Sequence, residues 1–285
     1  MTRSLSLPAP AKINLFLHVT GRRDDGFHLL ESVFVPISLA DTVKLSLRSD
    51  GKICLLDPPE GLNETIDLAC RAARALQIAS GTSLGVDIQL TKRIPQGAGL
   101  GGGSSDAATT LLGLNRLWSL ARPRAELQVI AASLGADVPF FVFGQAALAQ
   151  GIGEKLRAVT LPPMHAVIAS PGVSVATRAV FTHPDLARNT ESLQSPVFTL
   201  DFGRNDLQSI ATRLAPEIDR LHQAFVNAGA TPKMTGSGSC VFALAHRADK
   251  ALQLQAALVR AGWCAWAVRA LQRHPLYSLA DDAII

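Results

Sequence analysis

A glycine-rich segment between residues 94 and 108 constrains this chain more than any other feature. It reads Ile-Pro-Gln-Gly-Ala-Gly-Leu-Gly-Gly-Gly-Ser-Ser-Asp-Ala-Ala and places five glycines within seven positions. Glycine adopts backbone angles that other residues avoid, and it lets a ligand approach the main chain closely. Free backbone N–H groups that lead into a helix N-terminus form an anion site, and phosphate is its usual ligand. The segment therefore predicts a nucleotide-phosphate loop.

Two well-known phosphate motifs fit this segment poorly. The spacing Gly97-x-Gly99-x-x-Gly102 matches the dinucleotide fingerprint, but residues 91–96 separate it from the preceding strand pattern. No clear strand pattern ending in an acidic residue follows about twenty residues later. The Gly-Lys-Ser/Thr ending of a Walker A loop is also missing from the sequence. A ligand-free turn remains an alternative, although each ordered glycine costs up to about 1 kcal/mol relative to alanine.

Composition narrows the classes of protein to which the chain could belong. With 285 residues, of which 48% are hydrophobic, it can form one large or two ordinary domains. The net charge of +4 comes from scattered basic residues, so we expect neither a nucleic-acid partner nor a membrane partner. The four cysteines lack metal-ligand or redox spacing, and no secretory segment is evident. We therefore expect a cytoplasmic protein with free thiols.

Hydrophobic periodicity predicts a mixture of strands and helices without regular βαβ alternation, which indicates an α+β fold. Strands are predicted over residues 11–20, 27–39, 42–47, 52–56, 86–90, 146–150, 166–169, 173–175, 241–245 and 264–270. Helices are predicted over residues 67–78, 104–118, 123–134, 205–229 with a break at Pro216, and 250–261. Ser104, Ser105 and Asp106 mark the expected start of the helix after the glycine loop. The pattern changes near residue 150, so we expect two domains, 1–150 and 151–285.

Three motifs in the chain together resemble those of the GHMP kinase superfamily. They are Pro-Ala-Lys-Ile-Asn-Leu at residues 10–15, the glycine loop, and Thr-Gly-Ser-Gly-Ser-Cys-Val-Phe-Ala at residues 235–243. The resemblance implies a two-domain α+β fold with the active-site cleft between the domains. Residues 1–150 would carry the ATP phosphate loop, and residues 151–285 would contribute substrate contacts. ATP and Mg²⁺ are the implied cofactors, and the sequence assigns no metal ligands.

Further residues narrow the resemblance to one branch of the superfamily. They are Asp-Gly-Phe-His at residues 25–28, the triple glycine of the loop, and Leu-Gly-Ala-Asp-Val-Pro at residues 134–139. This branch phosphorylates the C2 hydroxyl of 4-diphosphocytidyl-2-C-methyl-D-erythritol, using ATP, in the non-mevalonate isoprenoid pathway. The resemblance implies that Asp137 is the catalytic base and that the catalytic Lys12 stabilises negative charge. From spacing alone, a cap or turn role for Asp137 and a solvated strand position for Lys12 remain open.

The resemblance also implies a set of binding residues. The cofactor contacts would be Asp67, Pro95, Gln96, Gly97, Ala98, Gly99, Leu100, Gly101, Gly102, Gly103, Ser104 and Ser105. The substrate contacts would be Asn14, Phe27, His28, Asp137, Thr177 and Phe181. Phe27 and Phe181 would stack on the cytosine and His28 would hydrogen-bond to its edge, whereas ordinary core packing is the alternative for both phenylalanines. The family more often has Tyr at position 27 and Asn at position 67, and an aspartate lacks the amide donor.

Two other functions stay open at this point. The chain could be another small-molecule kinase of the superfamily, of the homoserine or mevalonate type, whose substrate carries no nucleobase. It could also be an inactive ligand-binding regulator on the same fold, although such a protein has no need of Lys12 and Asp137. The sequence leaves a monomer and a homodimer undecided.

Overall fold

Residues 3–58, 63–193 and 202–280 are described by the computed structural model, and strands and helices mix irregularly within them. The strands are β1 (Ser4–Arg22), β2 (His28–Arg48), β3 (Ile53–Leu56), β4 (Gly85–Thr91), β5 (Ala147–Gln150), β6 (Lys155–Ala158), β7 (His165–Ser170), β8 (Pro232–Met234), β9 (Val241–Ala245) and β10 (Cys264–Arg269). The helices are α1 (Leu68–Ser80), α2 (Gly102–Leu117), α3 (Arg124–Ala132), α4 (Val138–Phe143), α5 (Thr177–Thr182), α6 (Gln208–Leu214), α7 (Glu217–Asn227) and α8 (Ala248–Arg260), and a 3₁₀ turn follows at Tyr277–Ala280. The α+β prediction is confirmed.

The first half of the chain forms a sheet with helices on one face. Its strand order is β3-β4-β2-β5-β6, and β1 pairs antiparallel with the long strand β2. Buried side chains such as Val43, Leu45 and Ile88 pack with Leu111 of α2 in one apolar cluster. The apolar residues that predicted a buried helix after the glycine loop therefore cover this sheet.

The second half forms a four-stranded antiparallel sheet in the order β10-β7-β9-β8. Val167 and Val241 on this sheet share a buried apolar cluster with Leu221, Phe225 and Leu258 of α7 and α8. The central strands β7 and β9 are buried on both faces, and apolar residues spaced three to four apart on the helices cover the face that carries Val167 and Val241.

A third apolar cluster joins the two halves. It brings Ile13 and Val35 of the first sheet against Ile168 and Phe242 of the second. The end of the described chain also returns to the first half, because the His274 N–H donates to the Gly144 carbonyl at 2.7 Å. The two sheets are therefore held in a fixed relation, which is what a cleft between them requires.

Some sequence predictions of elements were wrong in their bounds. The structure has one continuous strand, β2, where a break was predicted between residues 39 and 42. Asp41 continues the strand because its buried carboxylate accepts hydrogen bonds from the Arg93 and Ile94 N–H groups, and so it is not left unpaired. Residues 173–175, predicted as a strand, have no regular structure. The predicted break at Pro216 is confirmed, between α6 and α7.

The start of α2 also differs from the prediction. Gly101, in the left-handed region with a φ of 70°, is the N-cap, and the helix begins at Gly102 rather than Ser104. Within the described ranges, no helix combines the length and apolar character needed to cross a membrane.

Candidate active site

A cleft of about 800 Å³ lies between the two halves and is lined by residues from both. Ten of the eleven predicted loop residues line it, together with the predicted residues Lys12, Asn14, Phe27, His28, Asp67, Asp137, Thr177 and Phe181. Its volume is within the range of small-molecule sites, which spans roughly 300–1,000 Å³. The structure therefore brings the sequence-predicted residues together in one place.

Ser105 is the predicted loop residue that does not line the cleft. Its side chain is fully buried, and its N–H donates to the Gly101 carbonyl at 2.9 Å as the first helical hydrogen bond of α2. The earlier start of the helix causes this difference, because Ser105 already belongs to the first turn. The Ser105 side chain is therefore behind the cleft wall, and a contact between Ser105 and the cofactor stays a prediction.

The glycine loop exposes helix N–H groups to the cleft wall. Gly102, Gly103 and Ser104 precede the first helical hydrogen bond, so their N–H groups have no partner within α2. The backbone reaches this arrangement through Gly99 and Gly101, whose φ values of 76° and 70° are in the left-handed region. An anion placed here would meet both the N–H groups and the positive end of the helix dipole.

The loop packs directly against the small-residue turn that begins at Thr235. A Cβ on Gly99 would lie 2.2 Å from the Thr235 carbonyl oxygen, and a Cβ on Gly236 would lie 2.7 Å from the Gly99 carbonyl oxygen. The Cys240 N–H donates to the Ala98 carbonyl at 3.2 Å. The loop shape therefore depends on a segment more than a hundred residues away in the sequence.

Lys12 and Asp137 form an ion pair beside the loop. The Lys12 Nζ lies 3.6 Å from Asp137 Oδ2, and the Lys12 side chain is only 4% exposed while that of Asp137 is 33% exposed. Lys12 is tied to the loop through its N–H, which donates to the Leu100 carbonyl at 3.0 Å. Asp137 is the N-cap residue of α4, but among the described residues its carboxylate makes no capping hydrogen bond. The structure thus excludes a solvated position for Lys12. Asp137 does occupy a turn at the start of α4, but within the described chain its side chain makes no capping hydrogen bond there.

Asn14 links this ion pair to the second half of the chain. Its Oδ1 accepts a hydrogen bond from Lys12 Nζ at 2.7 Å and another from the Gly236 N–H at 2.9 Å. Its Nδ2 donates to Ser32 Oγ at 2.8 Å. Because each polar atom of Asn14 is occupied within the protein, the side chain fixes the position of the Lys12 ammonium.

A buried cluster next to the loop was not predicted from the sequence. Lys92 Nζ donates to both Asp41 and Asp106, and these carboxylates are almost fully buried. Burial raises the pKa of the Asp106 carboxyl to about 7; Lys92 opposes this shift and Asp41 adds to it. Lys92 and Asp106 line the cleft. The basic pair at residues 92–93 was the available signal, but the partners of Lys92 are 51 and 14 residues away.

The far end of the cleft is aromatic. The His28 and Phe181 rings lie 5.1 Å apart at an interplanar angle of 35°. Phe27 also lines this end and is 59% exposed, so it is not a core residue. The Thr177 and Ser237 hydroxyls share a hydrogen bond of 2.8 Å. Burial, followed by the charges of Arg188 and Arg22, lowers the pKa of His28, which favours a neutral ring.

Asp67 caps the N-terminus of α1 in addition to lining the cleft. It is the N-cap of α1, and its Oδ1 accepts a hydrogen bond from the Cys70 N–H at 3.0 Å. A contact to ATP remains a prediction for this residue. In the part of the chain that the structure describes, no group of three or more His, Cys, Asp or Glu side chains could hold a metal ion.

Comparison with known families and proteins gives consistent matches. The GHMP kinases N terminal domain family matches residues 67–145, and the GHMP kinases C terminal family matches residues 186–263. A protein named 4-diphosphocytidyl-2-C-methyl-D-erythritol kinase from Thiobacillus denitrificans is 49% identical over 281 residues, which are 98% of this chain and all of the relative. A protein of the same name from Nitrosospira multiformis is 47% identical, covering 98% of this chain and 95% of the relative.

Solved structures agree with these matches. A crystal structure of 4-(cytidine 5'-diphospho)-2C-methyl-D-erythritol kinase aligns with a TM-score of 0.79 and 38% identity over 93% of this chain and 99% of that one. Homoserine kinase from Cytophaga hutchinsonii aligns over 95% of both chains with a TM-score of 0.64 and 17% identity, so it supports the fold alone. Because its relatives match over nearly their full length, the chain belongs to the 4-diphosphocytidyl-2-C-methyl-D-erythritol kinase family of the GHMP kinases.

Proposed function

We propose that this protein transfers the γ-phosphoryl group of ATP to the C2 hydroxyl of 4-diphosphocytidyl-2-C-methyl-D-erythritol, a step in isoprenoid precursor synthesis. The observation that carries the proposal is the Asp137 carboxylate, 3.6 Å from the buried Lys12 ammonium. This pair lies in a cleft that also holds the glycine loop and the aromatic pair of His28 and Phe181. Family membership supports a kinase that acts on this substrate rather than on homoserine or mevalonate.

The ATP phosphates would bind at the start of α2. The N–H groups of Gly102, Gly103 and Ser104 are available there, and they sit at the positive end of a 16-residue helix. The other predicted loop residues that line the cleft, Pro95 to Gly101, form the adjoining wall. Phosphoryl transfer depends mainly on positioning and charge stabilisation, which a preformed loop of N–H donors supplies.

The proposed reaction also requires a Mg²⁺ ion bound with the ATP phosphates. Asp106 lines the cleft, and its Oδ1 is buried without a hydrogen-bond partner among the described residues, as is the Oγ of Ser105. Such oxygens suit Mg²⁺, which takes oxygen ligands and keeps several from water and phosphate. When bound, Mg²⁺ would neutralise charge on the β- and γ-phosphates. Asp106 and Ser105 are therefore the residues that we expect to hold it.

Asp137 would accept the proton of the attacking C2 hydroxyl. Its side chain is part-exposed to the cleft, whereas the Lys12 ammonium behind it is buried and fixed by Asn14. General base catalysis of this kind contributes roughly 10²- to 10⁴-fold to the rate. Lys12 would stabilise negative charge on Asp137 and on the transferring phosphoryl group.

The cytidine would occupy the aromatic end of the cleft. Phe27 and Phe181 offer ring faces for stacking, and His28 offers a ring nitrogen to the edge of the base. Thr177 and Asn14 also line the cleft, and Asn14 hydrogen-bonds to Lys12 of the ion pair. A nucleobase site at this end would distinguish the protein from superfamily kinases whose substrates carry no base.

We propose that the domain division falls between Ala158 and His165, slightly later than the residue 150 suggested by the sequence. The first sheet ends with β5 and β6, and the second sheet begins with β7 at residue 165. Residues 271–280 return to the first half, where Leu276 and Ala280 join its apolar cluster. The four cysteines are free thiols, which fits the expected cytoplasm.

A coupled ADP-release assay tests the proposal. The purified protein receives ATP and Mg²⁺ with 4-diphosphocytidyl-2-C-methyl-D-erythritol, homoserine, mevalonate or galactose. Turnover of the cytidylyl substrate alone is expected. Turnover of another substrate would show that the aromatic end of the cleft is not a nucleobase site. ATP binding without turnover of any substrate would favour an inactive regulator.

A further inference from the structure

The guanidinium of Arg188 hydrogen-bonds to the ring of His28. Arg188 Nε donates to His28 Nε2 at 2.9 Å. The other Arg188 nitrogens donate to carbonyls of the segment that carries Phe181, with 2.8 Å to His183, 2.8 Å to Leu186 and 3.3 Å to Phe181. The arginine is therefore oriented by its own loop, and His28 receives a donor whose direction is fixed.

This contact determines which nitrogen of His28 carries the proton. A guanidinium has only donors, so the histidine nitrogen that meets it must offer a lone pair. A neutral imidazole then carries its proton on the other nitrogen, which here is Nδ1. Burial, followed by the charges of Arg188 and Arg22, also lowers the pKa of His28, which favours the neutral ring.

We propose that Arg188 determines specificity by positioning: it fixes His28 as the Nδ1–H tautomer, so that the cleft presents a donor to a pyrimidine whose N3 is an acceptor. This inference rests on the proposed function, because it assumes that the aromatic end of the cleft receives the nucleobase. It goes further by giving a physical reason for selecting cytosine over uracil and by naming the residue that sets it.

Cytosine and uracil differ at ring atom N3. The N3 of cytosine has a lone pair, whereas the N3 of uracil carries a hydrogen. A fixed Nδ1–H facing uracil N3 would bring two donors together and leave both unsatisfied. An unsatisfied buried donor costs about 1–3 kcal/mol, which corresponds to roughly 5- to 150-fold in binding. Without Arg188, the ring could move its proton to Nε2 and accept from uracil.

The first test reads the tautomer and needs no substrate. Long-range ¹⁵N–¹H correlation spectra of the ligand-free protein are recorded, and His28 is identified by loss of its signals in His28→Asn. The expected result is a protonated Nδ1 and a bare Nε2 in the unmodified protein, and loss of that preference in Arg188→Met. A protonated Nε2 on His28 in the unmodified protein would overturn the proposal, and this result needs only a folded His28→Asn protein for the assignment, not a folded Arg188→Met.

The second test reads specificity. The ratio of kcat/KM for the cytidylyl substrate to kcat/KM for its uridylyl analogue is measured, and Arg188→Met is expected to lower it by roughly 10- to 100-fold. A purely structural role for Arg188 would reduce both kcat/KM values equally and leave the ratio unchanged, which would overturn the proposal.

The control for the second test is to measure the effect of Arg188→Met in a protein that also carries His28→Asn. An asparagine amide offers an N–H near the position of Nδ1 and cannot change tautomer. In this background, Arg188→Met is expected to change the ratio by less than about threefold. A loss as large as that in the unmodified background would contradict the tautomer mechanism. Absence of turnover of either substrate by the unmodified protein would instead reject the proposed function, and the spectra would still decide the tautomer.

Discussion

Two aspartates of the cleft occupy helix N-cap positions, and their carboxylates are used differently. Asp67 accepts a hydrogen bond from the Cys70 N–H, so its carboxylate stabilises the start of α1. Asp137 holds no N–H group of α4 in the described part of the chain and lies 3.6 Å from Lys12 instead. Because Pro139 occupies the first turn of α4, one of the N–H groups that a cap would satisfy is missing. The local sequence thus leaves Asp137 available for chemistry.

Replacing this carboxylate tests its role at the scale of one residue. Asp137→Asn removes the proton acceptor with little change in shape, so kcat is expected to fall by roughly 10²- to 10⁴-fold. ATP affinity is expected to persist, because the loop N–H groups are untouched. The ADP-release rate and nucleotide binding by calorimetry measure the two effects.

Asp219→Asn is the control for this substitution, because Asp219 is an exposed residue of the first turn of α7. It is expected to leave kcat unchanged. If folded Asp137→Asn protein also turned over at the rate of the unmodified protein, Asp137 would not be the base.

At the scale of elements, the shape of the glycine loop depends on its packing against the turn that begins at Thr235. Gly99 and the turn at Gly236 approach so closely that neither tolerates a Cβ. The loop was predictable because its glycine density is unusual within a short window. The start of α2 was not predictable in the same way, because a glycine cap in the left-handed region competes with the serine signal that follows it.

Gly99→Ala tests the close approach of the loop and the turn. The new Cβ would meet the Thr235 carbonyl at 2.2 Å, so the loop must shift. We expect a KM for ATP that rises about tenfold or more and a free energy of unfolding that falls by more than the roughly 1 kcal/mol cost of the left-handed conformation. Steady-state kinetics and denaturant unfolding measure these effects.

Gly172→Ala is the matched control, because Gly172 has the same φ of 76° and a Cβ added there would have no neighbouring atom within 4 Å. It isolates the backbone cost from the contact. Equal effects of the two substitutions on unfolding and on the KM for ATP would show that the close approach is unimportant.

At the scale of the whole molecule, the parts that the sequence did not predict are contacts between distant segments. Lys12, Asp137 and the loop each belong to a short motif, so their joint presence was predictable. Arg188 and His28 are 160 residues apart, and neither residue type by itself indicates the contact. Periodicity placed the two sheets, but it carries no information about which loop tips meet across the cleft.

The return of the chain end to the first half gives a pH-dependent contribution to stability. His274 is buried, its Nδ1 accepts from the Leu276 N–H at 3.1 Å, and burial followed by the charge of Arg124 lowers its pKa to about 4. Because the folded pKa is depressed below the unfolded value of 6.5, the contribution is complete above pH 6.5 and is lost as the pH falls towards 4. The loss amounts to about 3 kcal/mol.

Unfolding free energies of the unmodified protein and of His274→Asn, measured between pH 7 and pH 4, test this contribution. The asparagine can still accept from the Leu276 N–H but does not titrate, so the difference between the two proteins is expected to shrink as the pH falls. His246→Asn, at an exposed histidine, serves as the control. Curves for the unmodified protein and His274→Asn that stay parallel would contradict a buried neutral His274.

The position of the transferred phosphate shows directly which hydroxyl of the substrate attacks ATP. The C2 of the substrate is a tertiary carbon that carries no hydrogen, whereas C1 and C3 carry hydrogens. Proton-coupled ³¹P NMR of the product from ATP and 4-diphosphocytidyl-2-C-methyl-D-erythritol is expected to show a new monoester signal without three-bond coupling to hydrogen. A doublet or a triplet would place the phosphate on C3 or C1, and it would contradict the assignment of the C2 hydroxyl to Asp137.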